Sequence, residues 1–189
     1  DVDANPITIL YLDDITETKE IEKKYVSEKP LVCFVTIDNY DEMMDQAPSS
    51  VVPMLQSELY KIINNWVSEN NGIVLKYEKD KYFIAFEFRY LENCIKNKFD
   101  ILAKVREVDT KSSIPASISI GIGLNGKNLV ENDEFAKAAL NMALGRGGDQ
   151  AVIKDNEQFR FYGAATKEYE KSTRVKARVV SFALSGLIS

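Results

Sequence analysis

The sequence comprises 189 residues, of which 45% are hydrophobic and 28% charged, and 29 acidic against 24 basic residues give a net charge of −5. A domain of about 150 residues buries roughly 70% of its chain surface, so we expect one main domain with extensions. The acidic balance disfavours nucleic-acid binding through phosphates. With 0 His residues, catalytic triads, His-ligated zinc sites and imidazole bases are excluded. Any chemistry must therefore use carboxylates, Lys, Arg, Tyr or a bound metal.

The two cysteines predict no disulfide framework. Cys33 and Cys94 lie among apolar residues without C-x-x-C spacing, which is typical of reduced core residues in a cytoplasmic protein, although a buried disulfide stays open from sequence alone. The apolar runs are far shorter than the 18 or so residues of a membrane span. Because residue 1 is Asp and residues 7–12 look like a strand with nothing before it, we expect a piece of a longer protein.

The first predicted elements are a strand and a charged helix. Residues 7–12 have a strand pattern, and a helix is predicted over 17–27, with Asp14 or Thr16 accepting hydrogen bonds from its first amides. The apolar stripe of this helix is thin, which favours a connecting or pairing helix, and Pro30 ends it.

From Leu31 onward the pattern becomes regular. The predicted elements are a strand over 31–37, a helix of about five turns from Val52 to Trp66, two strands over 73–77 and 82–88 joined as a hairpin, a helix over 91–105, a strand over 116–122, a helix over 135–143, and short strands over 151–153 and 159–162.

This order predicts an α+β fold. Its first six elements form a ferredoxin-like βαββαβ arrangement, followed by an extra C-terminal helix and hairpin. In that topology the end of the first strand lies beside the turn of the hairpin, so Asp38 and Asp80 are expected at one edge of the sheet.

A pair of carboxylates beside a hairpin can hold magnesium, because this hard cation prefers oxygen ligands and completes its shell with substrate phosphates and water. Asp38, Asp80 and Glu78 are the candidates. The alternative is that Asp80 is a solvated turn residue and Asp38 caps the following turn. The residues alone leave both interpretations open.

Two segments carry a resemblance to a known family. Thr36-Ile37-Asp38-Asn39-Tyr40 stands where GGDEF domains have Asp-x-Asp-x-Phe, and Lys76-Tyr77-Glu78-Lys79-Asp80-Lys81-Tyr82 stands where they have Arg-Tyr-Gly-Gly-Asp-Glu-Phe. Residues 31–162 therefore resemble a GGDEF domain, the fold of diguanylate cyclases. Gly147-Gly148-Asp149-Gln150 looks like the signature but follows the family's last helix.

The departures from the family pattern imply a degenerate domain. Thr36 replaces the first metal carboxylate, whereas Asp80 keeps an acid at the third signature position. Glu78 replaces a glycine that lets backbone amides approach phosphate. Met44 and Pro53 replace the residues that read guanine, and neither can hydrogen-bond a base edge. We expect no diguanylate cyclase activity.

With these departures, the segment Leu144–Gln150 is similar to the GdpP-type phosphodiesterases of cyclic di-AMP, which combine PAS, degenerate GGDEF and DHH/DHHA1 domains. The resemblance divides the chain into the end of a PAS domain (1–16), a signalling helix (17–30), a degenerate GGDEF domain (31–163) and a linker helix toward a DHH domain (164–189). It also implies that this piece lacks the metal site that cleaves cyclic di-AMP.

The resemblance implies a regulatory domain that binds ATP with Mg²⁺ and hydrolyses it weakly at most. Asp80 would be the catalytic residue and, with Asp38, would hold the metal, while Lys79, Lys81 and Arg146 would contact phosphate. The partners implied are ATP, the PAS and DHH/DHHA1 domains of the parent and a second copy in a homodimer, in a cytoplasmic domain of a membrane-anchored parent. The alternative is a non-catalytic dimerisation and spacer domain that relays PAS signals.

Overall fold

A computed structural model describes residues 13–163, which form one six-stranded sheet with helices on both faces. The predicted strand over 7–12 and the predicted linker over 164–189 lie outside the described residues. In chain order the elements are α1 (Thr16–Ser27), β1 (Pro30–Ile37), α2 (Tyr40–Gln46), α3 (Val52–Glu69), β2 (Ile73–Lys76), β3 (Lys81–Glu87), α4 (Phe88–Lys96), α5 (Ile101–Arg106), β4 (Ile118–Leu124), α6 (Leu129–Gly145), β5 (Ala151–Asp155) and β6 (Gln158–Tyr162).

The sheet has the strand order β2-β3-β1-β4-β5-β6, which confirms the predicted α+β topology. β1 pairs antiparallel with both β3 and β4, β5 runs parallel to β4, and β6 returns antiparallel to β5. Residues 31–37 are buried throughout, as expected for an uninterrupted apolar run in a central strand covered on both faces.

The larger core lies between the sheet and α3. Buried side chains of α3 recur at helical spacing and pack with alternate residues of β1, such as Cys33 and Val35. α4 and α5 complete this layer. The residues that α3 contributes are Leu55, Leu59, Ile63, Trp66 and Val67.

The opposite face of the sheet packs against α6, and two glycines of β4 permit the close approach. A Cβ on Gly121 would lie 2.3 Å from the backbone nitrogen of Leu140, and one on Gly123 would lie 2.0 Å from the carbonyl oxygen of Asn132. Ala136 and Leu140 of α6 pack here against Val32 and Phe34 of β1.

Two details of the predicted elements are wrong. The helix predicted over 91–105 is two helices, α4 and α5, separated by Lys98 and Phe99, which have φ of 51° and 54°. α2, immediately after β1, was not predicted at all. α2 spans only 7 residues, too few to show a helical repeat in the sequence.

The start of α1 agrees with the predicted helix cap. The carboxylate of Asp14 accepts a hydrogen bond of 3.0 Å from the amide of Thr16 at the start of α1, and none of the helix residues is buried. Cys33 and Cys94 are buried free thiols. None of the helices within residues 13–163 is long and apolar enough to cross a membrane.

Candidate functional site

The end of β1 brings two of the predicted site residues, Asp38 and Asp80, to the same end of the sheet. The amide of Ile37 donates to the carbonyl oxygen of Asp80 at 2.9 Å, and the amide of Asp38 donates to the carbonyl oxygen of Ser117 at 2.9 Å. The main chains of Asp38 and Asp80 therefore lie at the same end of the sheet, as the topology predicts.

The side chain of Asp38 is occupied by three hydrogen bonds on the β4 side of this edge. Its oxygens accept from the hydroxyl groups of Ser119 at 2.7 Å and Ser117 at 2.9 Å, and from the amide of Asp149 at 3.0 Å. Burial raises the pKa of this carboxyl group above its ordinary value, although the hydrogen bonds oppose the shift. Asp38 thus fastens β1 to β4 and to the loop after α6.

Asp80 has the opposite environment. It lies partly exposed in the β2–β3 hairpin, and no residue in the described range 13–163 gives its carboxylate a hydrogen bond or an ion pair. Its charge is therefore available to a ligand at the surface.

Both lysines of the hairpin are paired with carboxylates. Lys79 contacts Asp41 of α2 at 2.5 Å, and Lys81 contacts Glu78 at 2.6 Å. Each of these hydrogen bonds raises the pKa of its lysine above the ordinary value. The hairpin residues 78–81 carry two acids and two lysines, so their formal charge is zero.

Arg146 is not brought to the hairpin. It follows α6, and its guanidinium carbon lies 4.4 Å from the ring centroid of Phe161 on β6. β6 is four strands away from β3 in the sheet, so the guanidinium group lies on the β6 side and not at the hairpin.

Next to the hairpin, a polar residue of β1 has no partner. Thr36 is paired with Lys81 of β3 and Ser119 of β4, is only 7% exposed, and its hydroxyl oxygen makes no hydrogen bond in the described structure. A buried hydroxyl group without a partner is uncommon.

These residues fit Mg²⁺ only in part. Among residues 13–163, no three Cys, Asp or Glu side chains are close enough together to hold a metal ion. Asp80 supplies one carboxylate, and one or two carboxylates suffice where phosphates and water provide the other ligands. The donor set therefore fits a magnesium ion that is already bound to a polyphosphate.

The two positions that correspond to the guanine-reading residues of the family carry apolar side chains. Met44 is buried in the larger core, whereas Pro53 is exposed in the first turn of α3. Neither offers a hydrogen bond to a base edge.

Four contacts at this end of the sheet were not predicted from the sequence: those of Ser117 and Ser119 with Asp38, of Lys79 with Asp41, and of Arg106 with Asp149. The alternation of serine with isoleucine over 117–120 predicted a strand, and the same spacing of Ser117 and Ser119 could have indicated two hydroxyl groups on one face. Asp41 could not have been identified as the partner of Lys79, nor Arg106 as the partner of Asp149, because these pairs are 38 and 43 residues apart.

Comparison with known proteins agrees with the resemblance. The family model for the cyclic-di-AMP phosphodiesterase GdpP-like GGDEF domain matches residues 35–161. The chain is 37% identical over 182 residues to the cyclic-di-AMP phosphodiesterase PdeA of Listeria monocytogenes, and 36% identical over 183 residues to the cyclic-di-AMP phosphodiesterase GdpP of Bacillus subtilis. Each alignment covers 96% of this chain but only 28% of the relative.

Solved structures show the same fold at low identity. The active GGEEF domain of a diguanylate cyclase from Vibrio cholerae superimposes with a TM-score of 0.56 at 16% identity, covering 75% of this chain and 90% of that one. The GGDEF domain of DgcB from Caulobacter crescentus, in complex with c-di-GMP, has a TM-score of 0.56 at 12% identity, covering 79% and 98%. At these identities the likeness concerns the fold alone.

Proposed function

Since the chain belongs to the family of GdpP-like cyclic-di-AMP phosphodiesterase GGDEF domains, we propose that its regulatory role includes weak binding of ATP with Mg²⁺ at the β2–β3 hairpin. It hydrolyses ATP slowly at most and makes no cyclic dinucleotide. Cleavage of cyclic di-AMP belongs to other parts of the parent protein, of which this chain covers about a quarter, if its length is that of the relatives.

The observation that carries this proposal is the free carboxylate of Asp80. Other acids around the hairpin, Glu78 and Asp41, are paired with lysines, whereas Asp80 has no partner in the described chain. When bound with the polyphosphate, magnesium would supply neutralisation of charge during phosphoryl transfer. Asp80 would hold that ion to the protein.

The paired lysines account for the weakness of binding. A polyphosphate would take Lys79 and Lys81 from Asp41 and Glu78, and exposed ion pairs of this kind contribute little to stability. Breaking these ion pairs therefore costs little free energy, but the carboxylates that lose their lysines repel the phosphates. Glu78 repels them more strongly than Asp41, because Glu78 lies in the hairpin itself.

The same residues argue against cyclase activity. Thr36 leaves the site with one strong metal ligand, and a base above Met44 and Pro53 would find no hydrogen-bond partner from either residue. We expect no cyclic di-GMP after incubation with GTP and Mg²⁺, which product analysis would detect.

Isothermal titration of the 189-residue chain with ATP and Mg²⁺ tests the proposal. We expect weak binding that Asp80→Asn abolishes, because the substitution removes the charge and keeps the shape. Glu92→Gln is the matched control: Glu92 is exposed on α4 and makes no ion pair within the described residues, so binding should be unchanged. No heat with the wild-type chain, or equal binding by the Asp80 variant, would reject ATP binding at this hairpin.

A second function is favoured by a separate observation on α1. Four apolar side chains of this helix region are at least half exposed, namely Ile15, Ile21, Tyr25 and Val26. They suit a helix that pairs with another copy, so the chain would act as a dimerisation and spacer domain that relays signals from a PAS domain to a DHH/DHHA1 domain in a membrane-anchored parent. This function needs no nucleotide.

A further inference from the structure

Four segments that are distant in sequence meet at the end of the sheet that carries the candidate site. They are the end of β1, the end of α5, the loop after α6 and the residue that follows β6. Asp38 accepts a hydrogen bond from the amide of Asp149, and Arg106 joins Asp149 to Gly163. The contacts form one continuous chain from residue 38 to residue 163.

Arg106, the last residue of α5, makes the central contacts. Its Nε donates to both carboxylate oxygens of Asp149 at 2.8 and 2.7 Å, and its Nη2 donates to the carbonyl oxygen of Gly163 at 2.7 Å. Both charged side chains are about two-thirds buried. A guanidinium group can serve these two acceptors at once in fixed directions, which the single ammonium group of lysine cannot reproduce.

Gly163 is also fixed by packing against α5. A Cβ at this position would lie 2.2 Å from Cδ1 of Leu102, and the φ of Gly163 is +82°. At Gly163 the main chain therefore passes directly over α5. Its position depends on both Leu102 and Arg106.

The loop at the other end of the contacts is equally constrained. Asp149 has a φ of +55°, a left-handed conformation that costs free energy in a residue other than glycine. The hydrogen bond from its amide to Asp38 and the ion pair from its carboxylate to Arg106 offset this cost. Loss of either contact therefore makes the left-handed conformation of Asp149 less stable and weakens the other contact.

We propose that Arg106 is a positioning residue that couples the end of β1, beside the candidate site, to Gly163, the residue that follows β6. A change at Asp38 passes through the main chain of Asp149 and the guanidinium group of Arg106 to Gly163. The coupling is a property of the folded domain and does not require nucleotide.

Hydrogen exchange of the nucleotide-free chain, followed by mass spectrometry, measures this coupling in a double-mutant cycle. Arg106→Lys should speed amide exchange about tenfold or more in peptides covering 147–151 and 158–163, because hydrogen bonds to charged groups are lost. Asp38→Asn should also speed exchange over 158–163. In the double variant the effect of Asp38→Asn over 158–163 should largely disappear, because the connecting residue is already gone.

Arg160→Lys is the matched control, since Arg160 lies on β6 and faces Asp155 at 3.7 Å, away from Asp149. It should leave exchange over 147–151 unchanged. If the Asp38 variant does not fold, Ser117→Ala takes its place in the cycle, because it removes one donor to Asp38. The proposal would be overturned if Asp38→Asn, or Ser117→Ala in its place, changed exchange over 158–163 equally with and without Arg106→Lys. It would also be overturned if that substitution had no effect on exchange over 158–163.

Discussion

Gly148 shows how closely the loop after α6 is fitted to Asp38. A Cβ on this residue would lie 2.8 Å from Oδ2 of Asp38, and its φ is +77°. Glycine is therefore required twice, for its backbone conformation and for its lack of a side chain. Gly147 has a φ of +102° but no atom within 4 Å of the corresponding Cβ position, so only the conformation matters there.

The two glycines make a matched pair of substitutions. We expect Gly147→Ala to lower the free energy of unfolding by about 1–2 kcal/mol through strain alone. Gly148→Ala should cost about 1–2 kcal/mol more, since it also displaces the Asp38 carboxylate from its donors. Urea denaturation of both variants measures the difference. Equal losses would mean that Asp38 moves away freely and does not fasten this loop.

For individual residues, the sequence predicted which ones lie at the same edge of the sheet better than it predicted what their side chains contact. The order of the predicted elements placed Asp38 and Asp80 at one edge because strand order determines which residues are neighbours. It could not assign the direction of the Asp38 side chain, which depends on Ser117 before β4, Ser119 within β4 and an amide more than 100 residues away. Such contacts have no signature in the local sequence.

The helices of this fold end in a recurring hydrogen-bond pattern. After α3, α4 and α6 the amides of the two residues beyond the cap bond back to the last turn, which is the Schellman arrangement. The left-handed residue is Asn71, Lys98 or Gly147. Asparagine and glycine are the usual residues there, so the ends of α3 and α6 were predictable from sequence. Lys98 is unusual, and this explains why α4 and α5 were predicted as one helix.

Lys98 also offers a test at the level of the element. Its φ is 51°, so Lys98→Gly should relieve backbone strain and raise the free energy of unfolding by up to about 1 kcal/mol. Lys96→Gly, at the last position of α4, should lower it by about 0.5–1 kcal/mol because glycine is a poor helix former. Thermal or urea denaturation compares the two. A loss of stability in both would show that the end of α4 does not need a left-handed residue at 98.

On the scale of the molecule, β1 connects the two ends of the domain. α1 leads into the start of β1, where the carbonyl oxygen of Lys29 accepts from the amide of Phe88. The candidate site, Asp38 and Gly163 lie at the other end, about 25 Å away for a strand of eight residues. The sequence predicted both the strand and its central place, because an apolar run of this length requires cover on both faces.

The exposed side chains of α1 lead to the last prediction, which concerns assembly. Ile21 is 62% exposed and Tyr25 is 70% exposed, and they lie one turn apart on a helix that buries none of its residues. We expect the 189-residue chain to dimerise through α1, because pairing would remove these side chains from water. Sedimentation equilibrium should show a concentration-dependent dimer that the double substitution Ile21→Lys and Tyr25→Lys converts to a monomer.

The control for this experiment is a second apolar pair, on the edge strand β2. Ile73 and Leu75 of β2 are 68% and 61% exposed, so their exposure matches that of the α1 pair. Replacing both with lysine should leave the dimer intact if α1 forms the interface. A dimer lost only with the β2 variant would move the interface to the edge strand, where free backbone groups can pair with another chain. A monomer at every concentration would remove assembly from the functions of this chain, and the coupling through Arg106 would then have to act within a single domain.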